Sequence, residues 1–199
     1  MDCRWIVLDA KGVLYRHGYD VEELLVPYAR DHGSILSPER IRDVYLQGSI
    51  GTITSAQLWS QLEIPVAGSD RDYCMRHAIT DGLRDFLSMQ RTMRLACLSN
   101  DISEWSTLLR RRFAIEDAFE AWLVSGDVGL RKPDPRIYAL LARRLKADGS
   151  EIIFVDDRLL NLDAAAERGW TTVRFGAPCS SHWSAESFDE LRSIIDATR

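Results

Sequence analysis

Short runs of apolar residues alternate with amphipathic stretches through most of this chain, and this alternation constrains the fold more than any other feature. Each run has the length of one buried strand, and each stretch between two runs has the length of a helix. Strands that alternate with helices predict parallel βαβ units and a sheet covered on both faces. The predicted strands are residues 5–8, 95–98, 122–124, 152–155 and 171–175. The predicted helices are residues 102–112, 136–146 and 161–168.

Residues 17–80 interrupt this alternation, because they contain well-marked helix starts and no convincing strand. Ser37 precedes a proline and a glutamate, as at a helix that begins with a capping serine. Thr54 lies three residues before Gln57, which is the spacing of a capping box. We therefore predict an inserted bundle of about four short helices. The predicted helices include residues 21–32 and 70–79, the crossing linkers are 15–19 and 80–83, and the α/β core comprises 1–16 and 81–199.

Length and charge narrow the possible functions. A chain of 199 residues with 46% hydrophobic content is long enough for one sizeable core and a small inserted domain. The net charge of −5 predicts no nucleic-acid partner, because such a partner requires a clustered basic face. The basic cluster at residues 110–112 is expected to be the solvated last turn of a helix. No apolar run approaches the length of a membrane span, so no membrane association is expected.

The four cysteines, Cys3, Cys74, Cys97 and Cys179, are widely separated in the sequence. Their spacing matches no zinc site, so no zinc is expected. The first residues run into a predicted strand without a cleavage region, and no signal peptide is expected. A reducing, cytoplasmic setting follows as the expectation. Cys97 lies in the middle of a predicted strand and is expected to be an inert core residue.

Polar residues follow each of the first four predicted strands. Because the carboxyl ends of parallel strands meet at one edge of a sheet, these side chains are expected to share one crevice. They are Asp9 and Lys11 after the first strand, Ser99, Asn100 and Asp101 after the second, Lys132 after the third, and Asp156 and Asp157 after the fourth.

Each of these residues has an ordinary structural explanation when it is taken alone. Aspartate at a strand end is usually a turn or cap residue, serine before a helix is a common cap, and Lys132 fits an exposed loop lysine. The pair Asp156 and Asp157 is less ordinary, because adjacent carboxylates after a buried strand repel each other unless a cation or donor lies beside them. The order, spacing and shared location of the whole set favour a functional site.

These motifs resemble those of the haloacid dehalogenase-like (HAD) superfamily, in the branch with a helical cap inserted after the first motif. The resemblance spans nearly the whole chain and is strongest over residues 95–175. It implies a doubly wound, Rossmann-like parallel sheet with an inserted helical cap, and phosphatase chemistry. The matching segments are Leu98-Ser99-Asn100, Gly129-Leu130-Arg131-Lys132-Pro133-Asp134-Pro135, and Phe154-Val155-Asp156-Asp157 with Asn161 and Gly169.

The resemblance also implies a role for each site residue. Asp9 would attack a phosphate ester and form an aspartyl-phosphate, which water then hydrolyses. The phosphate would be bound by Ser99, the backbone near Asn100, and Lys132. Magnesium would be held by Asp9, Asp156, Asp157 and the backbone carbonyl of Lys11, an all-oxygen set that suits this ion. Asn161 would brace the paired carboxylates.

A small phosphorylated metabolite is the substrate class that the resemblance implies. The cap would close over the crevice, exclude water and select the substrate. Candidate cap residues for this selection are His17, Tyr19, Trp59 and His77, although Trp59 is expected to be a packing residue.

Lys11 departs from the phosphatase pattern, in which the residue two positions after the nucleophile is an aspartate. That aspartate protonates the leaving alkoxide and then activates water. In one interpretation the protein remains a weak or altered hydrolase, and Lys11 acts as a general acid, or as a base if its pKa falls. In a variant of this interpretation, Lys11 turns to solvent and leaves a slow phosphatase.

Two other interpretations give Lys11 a different consequence. Lys11 could act as an internal cation that weakens or displaces magnesium, so that the protein binds phosphate as a regulatory or scaffold pseudoenzyme. Alternatively, the reaction could have moved to carbon–halogen or other non-phosphate bonds. Dehalogenases of the superfamily also lack the second aspartate, but they lack the paired acids that this chain keeps at Asp156 and Asp157.

Overall fold

The computed structural model describes residues 4–89 and 93–198. In this part of the chain, six parallel strands form one sheet in the order β3-β2-β1-β4-β5-β6. The strands are β1 (Trp5–Leu8), β2 (Arg94–Ser99), β3 (Ala121–Val124), β4 (Ile152–Asp156), β5 (Thr171–Phe175) and β6 (Trp183–Ala185). The helices are α1 (Val26–Asp31), α2 (Pro38–Ser49), α3 (Ser55–Gln61), α4 (Ser69–Met75), α5 (Leu83–Met89), α6 (Ser103–Arg112), α7 (Ser125–Val128), α8 (Pro135–Leu145), α9 (Leu159–Ala166) and α10 (Phe188–Ala197). A π-helical turn, Val21–Leu25, leads into α1.

The sheet confirms the predicted doubly wound α/β class. Side chains on β1 alternate between the two faces: Ile6 and Leu8 pack into one apolar cluster, and Trp5 and Val7 pack into the other. The first cluster includes residues of α5, α6 and α10, and the second includes residues of α8 and α9. Strand β1 is fully buried because helices cover both faces, and this burial is why its four residues are all apolar.

All five predicted strands are present, and β6 is an additional strand that the sequence pattern missed. Strand β6 has only three residues, lies at the sheet edge and contains the polar Ser184. Such a strand carries no apolar run to detect, because an edge strand is covered less than a central one. Strand β2 extends past its apolar run to Ser99, which pairs with Val124 of β3. This pairing holds Ser99 at the carboxyl edge of the sheet.

Residues 17–80 contain the π-helical turn and helices α1 to α4, and none of the six strands lies there. Both predicted helix starts are present, because the side chains of Ser37 and Thr54 accept hydrogen bonds from the backbone three residues on. The predicted helix at 70–79 ends earlier, at Met75. The following residues pair instead with the first linker, where the Ala78 carbonyl accepts from the Arg16 N–H at 2.9 Å. The division into core and cap domains stays a prediction.

The helical segment is anchored to the core by polar contacts as well as apolar ones. The indole N–H groups of Trp59 in α3 and Trp105 in α6 both donate to Asp70 at 2.6 Å. Trp59 is therefore a packing residue, as expected. Arg112 donates to the carbonyls of Cys74 and His77 at 2.8 and 2.7 Å. Residues 110–112 form the last turn of α6 and Arg111 and Arg112 are exposed, as expected, although Arg112 also bonds to the helical segment.

Cys74 and Cys97 are buried, and burial raises the pKa of the Cys97 thiol well above its usual range, in agreement with an inert core residue. Cys3 lies outside the described residues. Across residues 4–89 and 93–198, no helix has both the length and the apolar character needed to span a membrane.

Candidate active site

The carboxyl ends of the two central strands bring three carboxylates together. Asp9 follows β1, and its N–H donates to the Val155 carbonyl of β4 at 2.9 Å. Asp156 ends β4, and Asp157 follows it directly. One carboxylate oxygen from each of Asp9, Asp156 and Asp157 lies within 4.8 Å of the other two. The neighbouring positions of β1 and β4 in the sheet produce this cluster, which we call the acid cluster.

Lys132 lies between two of these carboxylates. Its Nζ is 2.7 Å from Asp9 Oδ1 and 2.7 Å from Asp156 Oδ2, and its side chain is 1% exposed. Burial lowers the pKa of Lys132, but Asp156 and Asp9 outweigh burial and leave its pKa above the usual value. Lys132 is therefore a fixed positive charge beside the predicted nucleophile.

Asn100 fixes the loop that carries Lys132. Its side-chain amide donates to the Lys132 carbonyl, and its side-chain oxygen accepts from the Lys132 N–H, both at 2.9 Å. The Asn100 side chain therefore positions the lysine loop, which leaves only the backbone of Asn100 for the predicted phosphate contact. The backbone carbonyl of Asn100 also accepts from the Tyr45 hydroxyl of α2, at 3.2 Å.

Asn161 in α9 donates to both carboxylate oxygens of Asp156 at 3.0 Å. The Arg158 N–H donates to Asp156 Oδ1 at 2.8 Å. These bonds and Lys132 hold the buried Asp156 in one orientation. The contacts agree with the predicted bracing role of Asn161.

Two glycines make room for Asp157. Gly12 has a φ of +83°, and a Cβ at this position would lie 2.6 Å from an Asp157 carboxylate oxygen. A Cβ at Gly18 would lie 2.4 Å from the same oxygen. Gly12 therefore requires glycine, for its backbone conformation as well, and a side chain at Gly18 would displace the Asp157 carboxylate. The glycine after Lys11 thus serves the acid cluster as well as the turn.

Excess negative charge makes the acid cluster a candidate cation site. Burial, followed by repulsion from Asp156, raises the pKa of Asp157 to about 6 and raises that of Asp9 well above its usual range. The Oδ1 atom of Asp157 is buried without a hydrogen-bond partner. Three carboxylates share one ammonium, so a divalent cation with a preference for oxygen fits this donor set. The predicted contribution of the Lys11 carbonyl stays a prediction.

Ser99 lies at the end of β2, next to β1 in the sheet. Its hydroxyl is fully buried and has no hydrogen-bond partner among the described residues. A buried hydroxyl without a partner is costly, and an anion that accepts its hydrogen bond removes that cost. The observation fits the predicted phosphate contact of Ser99.

Lys11 does not join the acid cluster through its side chain. Its Nζ lies 3.0 Å from Asp20 Oδ2, 3.7 Å from Asp101 Oδ2 and 2.9 Å from His77 Nε2. We call these four residues the lysine network. Lys11 is 5% exposed, so the expectation that it turns to solvent is wrong. Within the described chain, its ion pairs are to Asp20 and Asp101 and to no member of the acid cluster.

The lysine network also excludes Lys11 as a base. Burial lowers the pKa of Lys11, but Asp101 and then Asp20 outweigh burial and raise the pKa above its usual value. Burial, followed by repulsion from Lys11, lowers the pKa of His77 to about 2, so His77 is neutral. The lysine is therefore held as a cation between the two linkers' flanking residues, since Asp20 follows the first linker and His77 precedes the second.

The sequence did not reveal Asp20 as a site residue, and it offered His77 only as a candidate for substrate selection. A lysine at a position that the strand pattern buries requires carboxylate partners. That requirement was the available signal, although it does not say which aspartate supplies the partner. Of the other cap candidates, His17 pairs with Glu23 at 3.1 Å, and Tyr19 is 60% exposed at the cavity mouth.

A cavity of about 230 Å³ opens above Asp9 and Lys132. Its lining includes Tyr19 from the first linker, Asp20 directly after that linker, Tyr45 from α2, and Arg131 from the loop that carries Lys132. The helical segment therefore forms one wall, and the carboxyl edge of the sheet forms the base. The size of the cavity suits a small molecule.

The family model of haloacid dehalogenase-like hydrolases matches residues 3–169, most of the chain. The protein belongs to this family.

Curated relatives match over shorter segments. Glyceraldehyde 3-phosphate phosphatase from Methanopyrus kandleri is 34% identical over 74 residues, which are 37% of this chain and 31% of that protein. The (S)-2-haloacid dehalogenase 4A from Burkholderia cepacia is 31% identical over 80 residues, 40% of this chain and 35% of that protein. The match thus spans about a third of each of these relatives.

Solved structures of HAD-family proteins share the fold. A HAD family enzyme from Bacteroides thetaiotaomicron superimposes with a TM-score of 0.78 at 20% identity, over 91% of this chain and 97% of that one. The same enzyme has been solved in complex with magnesium and inorganic phosphate. L-2-haloacid dehalogenase from Xanthobacter autotrophicus, with chloropropionic acid covalently bound, gives a TM-score of 0.72 at 16% identity, over 98% and 99% of the two chains. At these identities the likeness establishes the fold alone.

Proposed function

We propose that the protein hydrolyses a small phosphate monoester through an aspartyl-phosphate at Asp9. The observation that carries this proposal is the contact of one buried ammonium, Lys132, with both the strand-end Asp9 and the paired acid Asp156. An isolated strand-end aspartate needs no such arrangement. Phosphoryl transfer needs a buried cation beside the nucleophile, because the reaction depends on positioning and on neutralising charge around the transferred group.

In the first step, an Asp9 carboxylate oxygen attacks phosphorus, and the bond from phosphorus to the alcohol oxygen breaks. Lys132 Nζ and the Ser99 hydroxyl donate to the phosphoryl oxygens, and the backbone near Asn100 contributes a further contact. The residues that would hold Mg²⁺ are Asp9, Asp156 and Asp157, with the Lys11 carbonyl as a proposed fourth ligand. Bound there, the ion would neutralise charge on the phosphoryl group and on the crowded carboxylates. Water then hydrolyses the aspartyl-phosphate and regenerates Asp9.

The lysine network determines which esters react fastest. No carboxylate at position 11 is available to protonate the departing alkoxide, and Lys11 is a poor acid because its pKa is raised. An ester with an acidic alcohol needs no such proton. The proposed hydrolase is therefore weak toward ordinary alkyl phosphates and stronger toward esters with good leaving groups.

The helical segment is proposed to act as the cap of this site. Its α2 contributes Tyr45 to the cavity wall, and its first linker pairs with the residues before the second linker through the backbone bond from the Arg16 N–H to the Ala78 carbonyl. Closure over the cavity would exclude water and select the substrate by shape and charge.

We expect p-nitrophenyl phosphate to be hydrolysed about 10²-fold faster than glycerol 3-phosphate. The alkyl ester needs a general acid to protonate its leaving oxygen, and such catalysis contributes about 10²-fold or more to the rate. The measurement is initial phosphate release from a panel of esters that spans a wide range of alcohol pKa values. A steep decline of rate with rising alcohol pKa supports the assignment of Lys11. A flat dependence contradicts that assignment, because another group would then be protonating the leaving oxygen.

Removal of Mg²⁺ with a chelator is expected to lower the p-nitrophenyl phosphate rate on the order of 10²-fold. The physical reason is the uncompensated negative charge of the acid cluster, which opposes a dianionic substrate. Readdition of Mg²⁺ should restore the rate, whereas K⁺ at matched ionic strength should not. A rate that is indifferent to the chelator contradicts a divalent site at Asp9, Asp156 and Asp157.

The lysine network also favours a second candidate function, a phosphate-binding pseudoenzyme. Its basis is the locked position of Lys11, which leaves the second step without a general base. This alternative predicts that inorganic phosphate binds with Mg²⁺ while no ester in the panel is hydrolysed. Chloride release from 2-chloropropionate, in the same assays, would instead support dehalogenation, which the retained Asp156 and Asp157 disfavour.

A further inference from the structure

The cavity carries positive charge at two depths. Lys132 lies at the base, where its ammonium forms ion pairs with Asp9 and Asp156. Arg131 and Arg158 line the same cavity, and both also line an adjoining cleft of about 400 Å³ that shares Tyr19 and Lys132 with it. The Arg158 side chain is 48% exposed, against 1% for Lys132. The arginines therefore lie at the mouth, and the lysine lies at the base.

Neither arginine at the mouth has a carboxylate in hydrogen-bond contact among the described residues. Arg131 has no carboxylate within ion-pair distance among the described residues, and it donates to the neutral Ser49 hydroxyl. Arg158 has Asp157 at 4.0 Å, the edge of an ion pair. Burial lowers the pKa of Arg158, but Asp157, followed by Asp9 and Asp156, outweighs burial and raises it. Arg42, which lines the same cavity, contrasts with both because Glu22 accepts from it at 2.6 Å. The guanidinium groups of Arg131 and Arg158 are therefore free of a direct carboxylate contact, and that of Arg42 is not.

Neighbouring groups hold the two guanidinium groups in place. Arg158 donates to the Gly18 carbonyl at 2.7 Å, and its Cζ lies 4.9 Å from the centre of the Tyr19 ring. The Cζ of Arg131 lies 5.9 Å from the centre of the Tyr45 ring. A solvated surface arginine needs no such support. Arginines fixed by backbone and aromatic contacts are suited to recognise a planar or tetrahedral anion.

We propose that Arg131 and Arg158 bind a second anionic group of the substrate, separate from the phosphate that is transferred. The substrate class is then a small phosphate monoester that also carries a carboxylate or a second phosphate. This inference rests on the proposed function for the identity of the transferred group. It adds that the mouth of the cavity selects substrates that carry a further negative charge besides the phosphate dianion.

The test compares ligands that differ only in the second anion, by calorimetric binding to the Asp9→Asn protein with Mg²⁺, so that no turnover occurs. The pair 3-phosphoglycerate and glycerol 3-phosphate tests a carboxylate. The pair fructose 1,6-bisphosphate and fructose 6-phosphate tests a second phosphate. We expect the ligand with the second anion to bind about tenfold more tightly in at least one pair.

Substitutions at the mouth assign this preference to residues. Arg158→Gln and Arg131→Gln should each reduce the tenfold ratio to about twofold or less, and Arg158→Lys should retain part of it. The control is Arg136→Gln, because Arg136 lies in the first turn of α8, pairs with Asp134 and does not line the cavity. Thermal unfolding of each variant verifies that it is folded.

The outcomes separate this inference from the proposed function. Equal binding within both ligand pairs, or a preference that survives both arginine substitutions, overturns the second-anion site even if esters are hydrolysed. Failure of every ligand to bind also overturns it. A wild-type protein that hydrolyses no ester contradicts the proposed hydrolase, while a tenfold preference that depends on Arg158 still supports the second-anion site.

Discussion

Lys11→Met is expected to lower the free energy of unfolding by about 3–5 kcal/mol. Methionine keeps the length of the side chain and removes its charge. Asp20 and Asp101, which are 4% and 0% exposed, then lose the cation that faces them at 3.0 and 3.7 Å. Two uncompensated carboxylates in a buried site account for the size of the loss. The measurement is urea unfolding of the variant and of the wild-type protein at about pH 8.

The same substitution should make stability depend on pH. Burial raises the pKa of Asp101 to about 6, and Lys11 opposes that rise. Removal of the lysine therefore raises the pKa of Asp101 further. A carboxyl with a higher pKa in the folded state binds protons more tightly there than when unfolded, so stability falls as the pH rises through that pKa. We expect the loss at about pH 8 to exceed the loss at about pH 5.5.

Two further variants separate charge from packing. Lys11→Met combined with Asp20→Asn and Asp101→Asn should recover part of the lost stability, because it removes all three charges together. Lys11→Asp should be at least as destabilising as Lys11→Met, since it adds a third carboxylate. A Lys11→Met protein within about 1 kcal/mol of wild type would contradict the lysine network.

The expected loss of stability limits how an acid/base residue could be restored at position 11. Insertion of aspartate alone places it against Asp20 and Asp101, so any gain in chemistry is opposed by a loss of folding. The substitution therefore needs to be made together with neutral residues at those two positions. The lysine at position 11 and the aspartates at 20 and 101 function as one unit in the folded protein.

The fold was predictable from the sequence because its central strands are apolar on both faces. Burial by helices on both sides leaves short runs such as Trp5–Leu8 that no surface strand resembles. The edge strand β6 lacks that double cover, and its pattern contains a serine. Ser37 and Thr54 were predictable for another reason, because a helix cap is a local interaction that depends on three or four adjacent residues.

The acid cluster was predictable because topology brings strand ends together. Parallel neighbours β1 and β4 place Asp9 beside Asp156 whatever the loops do. The lysine network was not predictable in this way. Asp20 comes from the segment after the first linker, Asp101 from the loop after β2, and His77 from the segment before the second linker. Their convergence on Lys11 depends on how the helical segment lies against the core, which no local pattern specifies.

Asp9→Asn is expected to lower the rate of ester hydrolysis on the order of 10⁴-fold or more. Asparagine matches the shape of aspartate, but its amide cannot form the acyl-phosphate that the proposed mechanism requires. The measurement is phosphate release from p-nitrophenyl phosphate with Mg²⁺. Rapid quenching of the wild-type reaction with a labelled phosphate ester should also trap an acid-stable, base-labile phosphoprotein, and the variant should trap none.

The matched control is Asp189→Asn, which changes an exposed aspartate in the first turn of α10 that lies outside the cavity. It should retain the wild-type rate within about twofold, because surface substitutions have small effects. A substantial residual rate in Asp9→Asn, with a trapped phosphoprotein, would move the nucleophile to another residue. A residual rate without any trapped species would favour direct attack of water, and Asp9 would then act on the phosphate through charge and metal binding alone.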